Sequence, residues 1–483
     1  MNGKAKPSQY FLLKKSRSLT HKLKGLTRDV IESISGKERD YTSGGMNRAI
    51  FLLAVPMVLE VSFESVFAVT DIYFVSRINP DAVATVGITE SLLTLVYAVG
   101  IGMSMATTAL IARRTGEKNP EGASSAAMQS IVLAIFISLI MAIPGIFFSQ
   151  ELLALMGANK SIISEYSSYT SIIIGGNIVV MLLFVINAIF RSAGDAVLSM
   201  VILWIANITN IILDPLLIFG IGPFPEMGIK GAALASLIGR GLAVVMQVYL
   251  LYRGIGRTKI YRRHLKVELK VLVQIIKLSA GGVGQYIIAT ASWVVLMKIM
   301  AEFGSVVVAG YTIAIRIFMF TLLPSWGMSN AAATLVGQNL GAKKPDRAEF
   351  SVIRTAFINS AFMLMFATLF ITSSEFFIKL FTDEPEVVTI GSKALKVISF
   401  GYLFYGLGMV MPQAFNGAGD TTTPTWINLI SYWLIQIPLA YLLAIETGMR
   451  ENGVFWAIII AESCMAILSL IIFKKGKWKL KQV

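Results

Sequence analysis

The chain repeats itself at a constant spacing of 225 residues. Gly116 aligns with Gly341, and the Ala-Gly-Asp triplet that ends at Asp195 recurs with its last residue at Asp420, so that the members of each pair are 225 positions apart. This one spacing aligns most of both halves without large insertions. The chain therefore consists of two copies of one structural unit.

The composition places both copies in a membrane. Hydrophobic residues make up 55% of the 483 residues, charged residues make up only 14%, and the mean hydropathy is +0.71. This is too little charge to cover the surface of a soluble protein of this length. We therefore predict an integral membrane protein, in which a twofold repeat commonly frames a transport pathway.

Apolar stretches long enough to span a bilayer recur through both copies. A helix needs roughly 20 mostly apolar residues to cross the hydrocarbon, and continuous stretches of this length fit helices rather than barrel strands. About twelve can be counted, near 47–75, 83–112, 124–148, 165–190, 196–220, 229–252, 271–300, 306–336, 349–371, 394–415, 424–445 and 453–473. We predict an all-α fold with about twelve transmembrane helices in two homologous six-helix lobes around a central cavity.

The formal charge of +14 is concentrated in a few segments. Residues 1–48 hold 11 Lys and Arg, the stretch 253–270 holds 7 and the stretch 474–483 holds 5. By the positive-inside rule these segments are cytoplasmic, so we expect both termini inside the cell and the protein in the plasma (inner) membrane. The basic residues thus mark topology, and we expect no binding of nucleic acid.

Cysteine and histidine are too rare for most metal or disulfide chemistry. Cys464 is the only cysteine, and His21 and His264 are the only histidines. One cysteine cannot form an intrachain disulfide. Zinc in membrane metalloenzymes usually needs several His or Cys ligands, so this class of enzyme is disfavoured.

Hydropathy and charge divide the chain into five parts. These are a basic cytoplasmic extension with a possible amphipathic helix (1–45), an N-lobe with helices 1 to 6 (46–253), a basic inter-lobe loop (254–270), a C-lobe with helices 7 to 12 (271–473) and a basic cytoplasmic tail (474–483). The lysines of the tail alternate with Trp478 and Leu480, a pattern typical of an anchor at the membrane surface.

Acidic residues at membrane depth are the best functional candidates. The two copies of the repeat differ in these residues. The first span carries Glu60, Glu64 and Asp71 near one helical face. The fifth span carries Asn210 and Asp214, which are one turn apart. The matching positions of the C-lobe are neutral: Gln285, Ala289, Leu296, Ile435 and Leu439.

A pocket of hard oxygen ligands forms if the first, fifth and sixth spans meet. Its predicted members are Asp71, Asn210, Asp214 and Ser236. Pro215 adds a free backbone oxygen, since it cannot donate to the carbonyl four residues earlier. Such a pocket suits an alkali or alkaline-earth ion, or a proton shared between neighbouring carboxylates. The alternative is that Asp214 caps or bonds a neighbouring helix and that Asp71 lies near the outer interface.

Other polar residues and prolines of the spans have weaker assignments. The candidates for the cavity wall are Glu60, Glu64, Gln285 and Lys298. The glutamates could attract cationic substrates or pair with basic residues of a neighbouring helix, and Lys298 could snorkel outward. Pairs between helices or at interfaces are expected for Arg240, Arg316, Arg354 and Glu462. Pro56 and Pro215 are predicted hinges or kinks.

Several motifs, in their order and spacing, resemble those of the multidrug and toxic compound extrusion (MATE) family of transporters over about residues 46–473. They are Pro56 followed by Val-Thr-Asp-Ile-Tyr-Phe-Val-Ser at 69–76, Ile-Ala-Arg-Arg-Thr-Gly at 111–116, Arg-Ser-Ala-Gly-Asp at 191–195, Asn-Ile-Ile-Leu-Asp-Pro at 210–215 and Gly-Ile-Lys-Gly-Ala-Ala at 228–233.

The resemblance implies an antiporter that exports amphipathic, cationic organic compounds in exchange for sodium ions or protons. It implies an N-lobe cation site formed by Asp71, Asn210, Asp214, Ser236 and a backbone oxygen near Ala232. Another branch of the family carries acidic residues in the seventh and tenth helices, where this chain has Gln285 and apolar surroundings, so we expect coupling in the N-lobe. Expected partners are small organic cations or other amphipathic drugs and membrane lipids, with a functional monomer and no cofactor besides the coupling ion.

Two other functions compete with that of an antiporter: a flippase and an intramembrane protease. A lipid-linked oligosaccharide flippase also has repeated lobes, but it needs several basic residues in its cavity to hold pyrophosphate, and here the cavity candidates are mostly acidic. The Gly-Ala-Gly-Asp run ending at Asp420 matches an intramembrane aspartyl protease motif. Because Asp420 lies in a polar stretch between spans and Asp195 repeats it, a turn explains the match. We expect a transporter and not an enzyme.

Overall fold

The structure is a computed structural model that describes residue 30, residues 32–35 and residues 40–483. The basic extension at 1–45, with its possible amphipathic helix, lies mostly outside the described residues.

The described part of the chain is helical and contains no strand. Eleven of its helices are long and apolar enough to cross a membrane, and one bent pair makes a twelfth span. The spans are α1 Met46–Val75, α2 Pro80–Gly116, α3 Pro120–Phe147, α4 Lys160–Ala193, α5 Ala196–Phe219, α6 Ile229–Arg253, α7 Leu269–Ala301, α8 Ser305–Gly341, α9 Pro345–Lys379, α10 Pro385–Ser399 with Tyr402–Gly417, α11 Thr422–Glu446 and α12 Glu451–Lys474. The predicted number and positions of the spans are confirmed.

Local signals explain where several helices begin. The side chain of Asn79 accepts a hydrogen bond from the backbone N–H of Ala82, and Pro80 occupies the first helical position of α2. Asn119 caps α3 in the same way, again directly before a proline. An asparagine oxygen satisfies a free amide at the helix start, and proline has no amide to lose there.

The breaks in the spans do not fall at the predicted prolines. The two segments of α10 meet at 57° around residues 400–401, so the expected continuous tenth span is bent. Residues Leu429–Gln436 of α11 form a π-helix. In contrast, α1 and α5 run through Pro56 and Pro215 as unbroken helices, and the hinge role of these prolines stays a prediction.

The lobes meet through their first two helices. In this contact α1 packs against α8, and α2 packs against α7 and α8. A Cβ on Gly116 of α2 would collide with the backbone carbonyl of Gln338, and one on Gly341 of α8 with the carbonyl of Arg113. Gln338 Nε2 also donates to the carbonyl of Ser192, at 2.8 Å. These contacts hold the lobes together at the C-terminal ends of α2 and α8.

Two basic segments lie against the lobes rather than extending from them. In the inter-lobe loop, His264 is buried and pairs with Glu121 of α3 at 2.8 Å. Trp478 of the tail is 1% exposed and stacks on Phe473 with ring centroids 4.8 Å apart, so the predicted anchor at the membrane surface is wrong for this residue. Lys481 connects the tail to both lobes. Its carbonyl accepts from Arg113, and its Nζ lies 3.2 Å from a carboxylate oxygen of Asp420.

Candidate functional site

The fifth and sixth helices bring two of the predicted ion ligands into contact. Asn210 of α5 and Ser236 of α6 are both buried, and Asn210 Nδ2 donates to Ser236 Oγ at 3.1 Å. Gly231 and Gly239 of α6 allow this approach, because each faces the backbone of α5 without a side chain between the helices. Ala232, one turn before Ser236, is also buried.

Asp214 is the most unusual residue of this group. Its side chain is fully buried, and among the described residues neither carboxylate oxygen has a hydrogen-bond partner. The same holds for Oδ1 of Asn210. The alternative in which Asp214 caps or bonds a neighbouring helix therefore has no bond to support it, and three side-chain oxygens one helical turn apart on α5 are buried without a partner.

Asp71 belongs to the same neighbourhood. α1, which carries the half-buried Asp71, packs against α5, which carries Asp214. The described residues contain no group of three or more His, Cys, Asp or Glu that could hold a metal ion. The combined donors are thus carboxylate, amide and hydroxyl oxygens, a set that suits an alkali ion or a proton better than a transition metal.

A cavity of about 390 Å³ lies between the lobes. Its polar and aromatic lining comes from both: Glu60, Glu64, Tyr97, Phe184, Asn187, Arg191 and Arg240 of the N-lobe, and Tyr286, Trp326, Asn330, Gln413 and Asn416 of the C-lobe. Aromatic faces combined with a few polar groups are typical of sites for amphipathic organic molecules.

Glu60 lines this cavity and also forms an ion pair. One carboxylate oxygen lies 3.0 Å from Nη1 of Arg191, and the other accepts from the hydroxyl of Ser199 at 3.0 Å. The Glu60 side chain is 4% exposed and that of Arg191 is 14% exposed. Glu60 thus lies in the cavity wall and forms the expected pair with a basic residue of a neighbouring helix, and its attraction of cationic substrates stays a prediction.

The ion pair of Glu64 with Arg240 is longer than that of Glu60 with Arg191. Oε1 of Glu64 lies 3.8 Å from Nη2 of Arg240, and Oε2 accepts from Asn207 at 3.0 Å. The Glu64 side chain remains 38% exposed. Arg240 therefore forms the expected pair between helices, but it also lines the cavity together with Arg191. The expectation of a mainly acidic cavity is wrong, because two arginines balance the two glutamates.

The other predicted wall residues lie elsewhere. Gln285 is buried and exchanges hydrogen bonds with Asn416 at 3.0 and 3.1 Å, which ties α7 to α10 beside the cavity. Lys298 is exposed on α7. Neither is among the residues that line this cavity. Among the remaining charged residues, Arg354 donates to Asn47 of α1 at 2.7 Å, and Arg316 is exposed.

Comparison with known proteins gives matches in both halves of the chain. The MatE family model matches residues 56–216 and again 283–442. A probable multidrug resistance protein, YoeA of Bacillus subtilis (strain 168), is 26% identical over 441 residues, which is 90% of this chain and 95% of the relative. An FAD transporter of Shewanella oneidensis is 27% identical over 435 residues, 88% of this chain and 94% of the relative.

A solved structure of similar fold is that of a MOP superfamily transporter from Pyrococcus furiosus. The two chains superpose with a TM-score of 0.85 at 22% identity, covering 92% of this chain and 98% of the other. The predicted two-lobed fold is thus confirmed by a match over nearly the whole of both chains.

Proposed function

Because this chain belongs to the MatE family of membrane transporters, we propose that it is a secondary active antiporter. It exports small amphipathic organic compounds in exchange for sodium ions or protons, by alternating access of the central cavity to the two sides of the membrane. The plasma membrane is its location, with both termini cytoplasmic and the monomer as the working unit.

The observation that carries the proposal is the buried, unpaired carboxylate of Asp214. An ionised carboxylate in a dry environment is strongly unfavourable unless a cation or hydrogen-bond donors compensate it. No described residue supplies that compensation to either oxygen. A bound sodium ion or proton supplies it, with Asp71, Asn210 and Ser236 as the other ligands. A backbone oxygen near Ala232 completes the set.

Two helices connect this ion site to the cavity. α1 carries Asp71 as well as Glu60 and Glu64 of the cavity wall, and on α6 Arg240 follows Ser236 by one helical turn. Loss of the ion leaves the carboxylates of Asp71 and Asp214 to repel each other. A shift of α1 away from α5 relieves this repulsion and moves the cavity wall at the same time, with Pro56 and Pro215 as the hinge positions.

The cavity suggests how a substrate is held. Its aromatic residues stack on the apolar part of an amphipathic molecule, and its amides bind polar groups. An organic cation has one accessible partner, Glu64, because the Glu64–Arg240 pair is long and partly exposed. Glu60 is less available, since its ion pair is short and buried.

The arginines of the cavity favour a second candidate function, that of a lipid-linked oligosaccharide flippase. Arg191 and Arg240 are basic groups of the kind that bind phosphate, and one relative is named as a transporter of FAD. Each arginine is, however, already paired with a glutamate. An anionic substrate must therefore break one of these pairs, and we place this function second.

The deciding experiment measures transport of a fluorescent organic cation in proteoliposomes under an imposed sodium or proton gradient. Wild type is compared with Asp71→Asn and Asp214→Asn, and Asp383→Asn is the control because Asp383 is exposed in the loop between α9 and α10. We expect driven transport in wild type and control and its loss in both site variants. Undiminished driven transport in both would refute the N-lobe assignment.

A further inference from the structure

Glu462 of α12 is a second buried acid, and it lies in the C-lobe. Its side chain is 2% exposed, and its Oε1 accepts a hydrogen bond from the hydroxyl of Tyr432 at 3.1 Å. In the described part of the chain, Oε2 has no hydrogen-bond partner, and no Lys, Arg or His forms an ion pair with this carboxyl. Glu462 thus differs from Glu60 and Glu64, each of which has an arginine.

The surroundings of Glu462 offer phenols but no positive charge. From α10, Tyr405 faces it with a buried hydroxyl that lacks a partner among the described residues. From α11 comes Tyr432, and two helical turns before Glu462, Phe455 of α12 stacks on Tyr311 of α8. Tyr405 in turn packs edge-on against Phe318, with centroids 4.8 Å apart. A carboxylate in this aromatic shell is poorly compensated.

An irregular segment of α11 supplies the one hydrogen bond that Glu462 receives. Tyr432 lies within the π-helix Leu429–Gln436, and this segment packs against α12. π-helical turns are rare and are frequently found at functional sites. The departure from regular helix therefore coincides with the position of the buried acid.

The internal repeat gives an independent argument. At the spacing of 225 residues, Glu462 corresponds to Leu237 and Tyr432 to Asn207, so the pair α11–α12 corresponds to α5–α6. The N-lobe pair holds Asp214. In the described part of each lobe, the fifth or sixth helix therefore buries a carboxyl without a cationic partner, although the two acids occupy different positions of the repeat.

We propose that Glu462 is a proton-binding site of the C-lobe. The proton resides on Oε2 and is donated in a hydrogen bond to the hydroxyl oxygen of Tyr405, while Oε1 accepts from Tyr432. This arrangement gives Oε2 and the oxygen of Tyr405 a hydrogen-bond partner and leaves the aromatic shell without net charge. A sodium ion fits less well, because alkali ions take several oxygen ligands and the shell provides one carboxyl and phenols.

The proton is exchanged with water when the C-lobe opens. An ionised Glu462 is unfavourable in the packed arrangement, so release of the proton requires separation of α10 or α11 from α12. The site thus makes the packing of the C-lobe sensitive to pH, independently of the ion that binds in the N-lobe.

Infrared difference spectroscopy of the purified full-length protein in lipid tests the proposal. The probe is the carbonyl stretching band of a protonated carboxylic acid at neutral pH. We expect Glu462→Gln, which keeps the size of the side chain, to remove one component of this band. Tyr432→Phe should shift the same component, because it removes the hydrogen bond to Oε1. Asp214→Asn should leave it in place.

The outcome does not depend on transport, so it is separate from the test of the antiport mechanism. Spectra of wild type and Glu462→Gln that coincide in this region would show an ionised carboxylate and overturn the proposal. Loss of the component on addition of sodium at constant pH would also overturn it, since a metal ion would then compete for the same carboxyl.

Discussion

In the N-lobe, Asn210 of α5 contacts Ser236 of α6, and the buried Asp214 follows Asn210 by one helical turn, whereas the matching positions of α11 and α12 carry Ile435, Ala461 and Leu439. The helices themselves correspond in the two lobes. The repeat therefore preserves the apolar pattern that builds six helices, and it varies the few polar residues that give a lobe its chemistry.

The cavity wall shows the same division. The N-lobe contributes four charged side chains in two ion pairs, and the C-lobe contributes the amides of Asn330, Gln413 and Asn416. An N-lobe wall of this kind can exchange one ionic partner for another, while the C-lobe wall offers hydrogen bonds and the aromatic faces of Tyr286 and Trp326. Two lobes with one fold are thus suited to different tasks in one transport cycle.

The largest effect is expected from breaking the buried pair of the N-lobe. Arg191→Gln leaves the Glu60 charge buried without its partner, and such changes typically cost about 3–5 kcal/mol of unfolding free energy. Thermal unfolding in detergent measures the loss. The double variant Glu60→Gln/Arg191→Gln should recover most of it, and a double variant as unstable as Arg191→Gln would show that the pair is not the cause.

The next effect is loss of stabilisation by the coupling ion. A ligand at 100 times its Kd stabilises the folded state by about 2.7 kcal/mol, so wild type should unfold at a higher temperature at saturating sodium or at the pH that loads the site. Asp214→Asn should abolish this increase and Asp383→Asn should keep it. An increase of equal size in Asp214→Asn would place the ion outside the N-lobe pocket.

A smaller and symmetrical effect is expected where the lobes meet. Gly116→Ala and Gly341→Ala each add a Cβ against the backbone of the other lobe, and overpacking of this kind typically costs about 1–3 kcal/mol. Distances between spin labels on α2 and α8 should shift equally toward the separated state in both variants. A shift in only one variant would mean that the lobes differ in packing as well as in polar chemistry.

The smallest effect on stability is expected for the partly exposed pair. Arg240→Gln should lower the unfolding free energy by less than Arg191→Gln does, because the Arg240–Glu64 separation is 3.8 Å and Glu64, at 38% exposed, keeps part of its hydration. It frees Glu64 for substrate, so competition assays should show tighter binding of organic cations. Unchanged cation affinity would remove Glu64 from the substrate site, and Lys298→Gln serves as a control because Lys298 is exposed outside the cavity.

The sequence predicts the spans well, because hydrophobic length alone determines whether a helix can cross a membrane. It also indicates which lobe carries the candidate ion site, since the repeat places Asp214 opposite Leu439. The pairing of Asn210 with Ser236 follows from their shared depth in adjacent helices.

The partners of single charged residues could not be predicted. Periodicity assigns Glu60 to a face of α1 but does not tell that Arg191, at the end of α4, reaches it. For this reason the sequence predicts a mainly acidic cavity, although the motif at 191–195 contains the arginine that balances Glu60. The burial of Trp478 likewise depends on the tail folding back onto Phe473, a tertiary contact that its alternating lysines do not encode.

Hydrogen–deuterium exchange of wild type with and without the coupling ion compares the two lobes directly. The comparison is made with sodium at constant pH or, for a proton, in the Glu462→Gln variant, so that the C-lobe acid does not respond. The N-lobe assignment then predicts slower amide exchange with the ion in segments 64–75 of α1 and 207–216 of α5, and no change in the matching segments 289–300 and 432–441 of the C-lobe. Equal protection in both lobes, or protection confined to the C-lobe, would contradict coupling through Asp71 and Asp214.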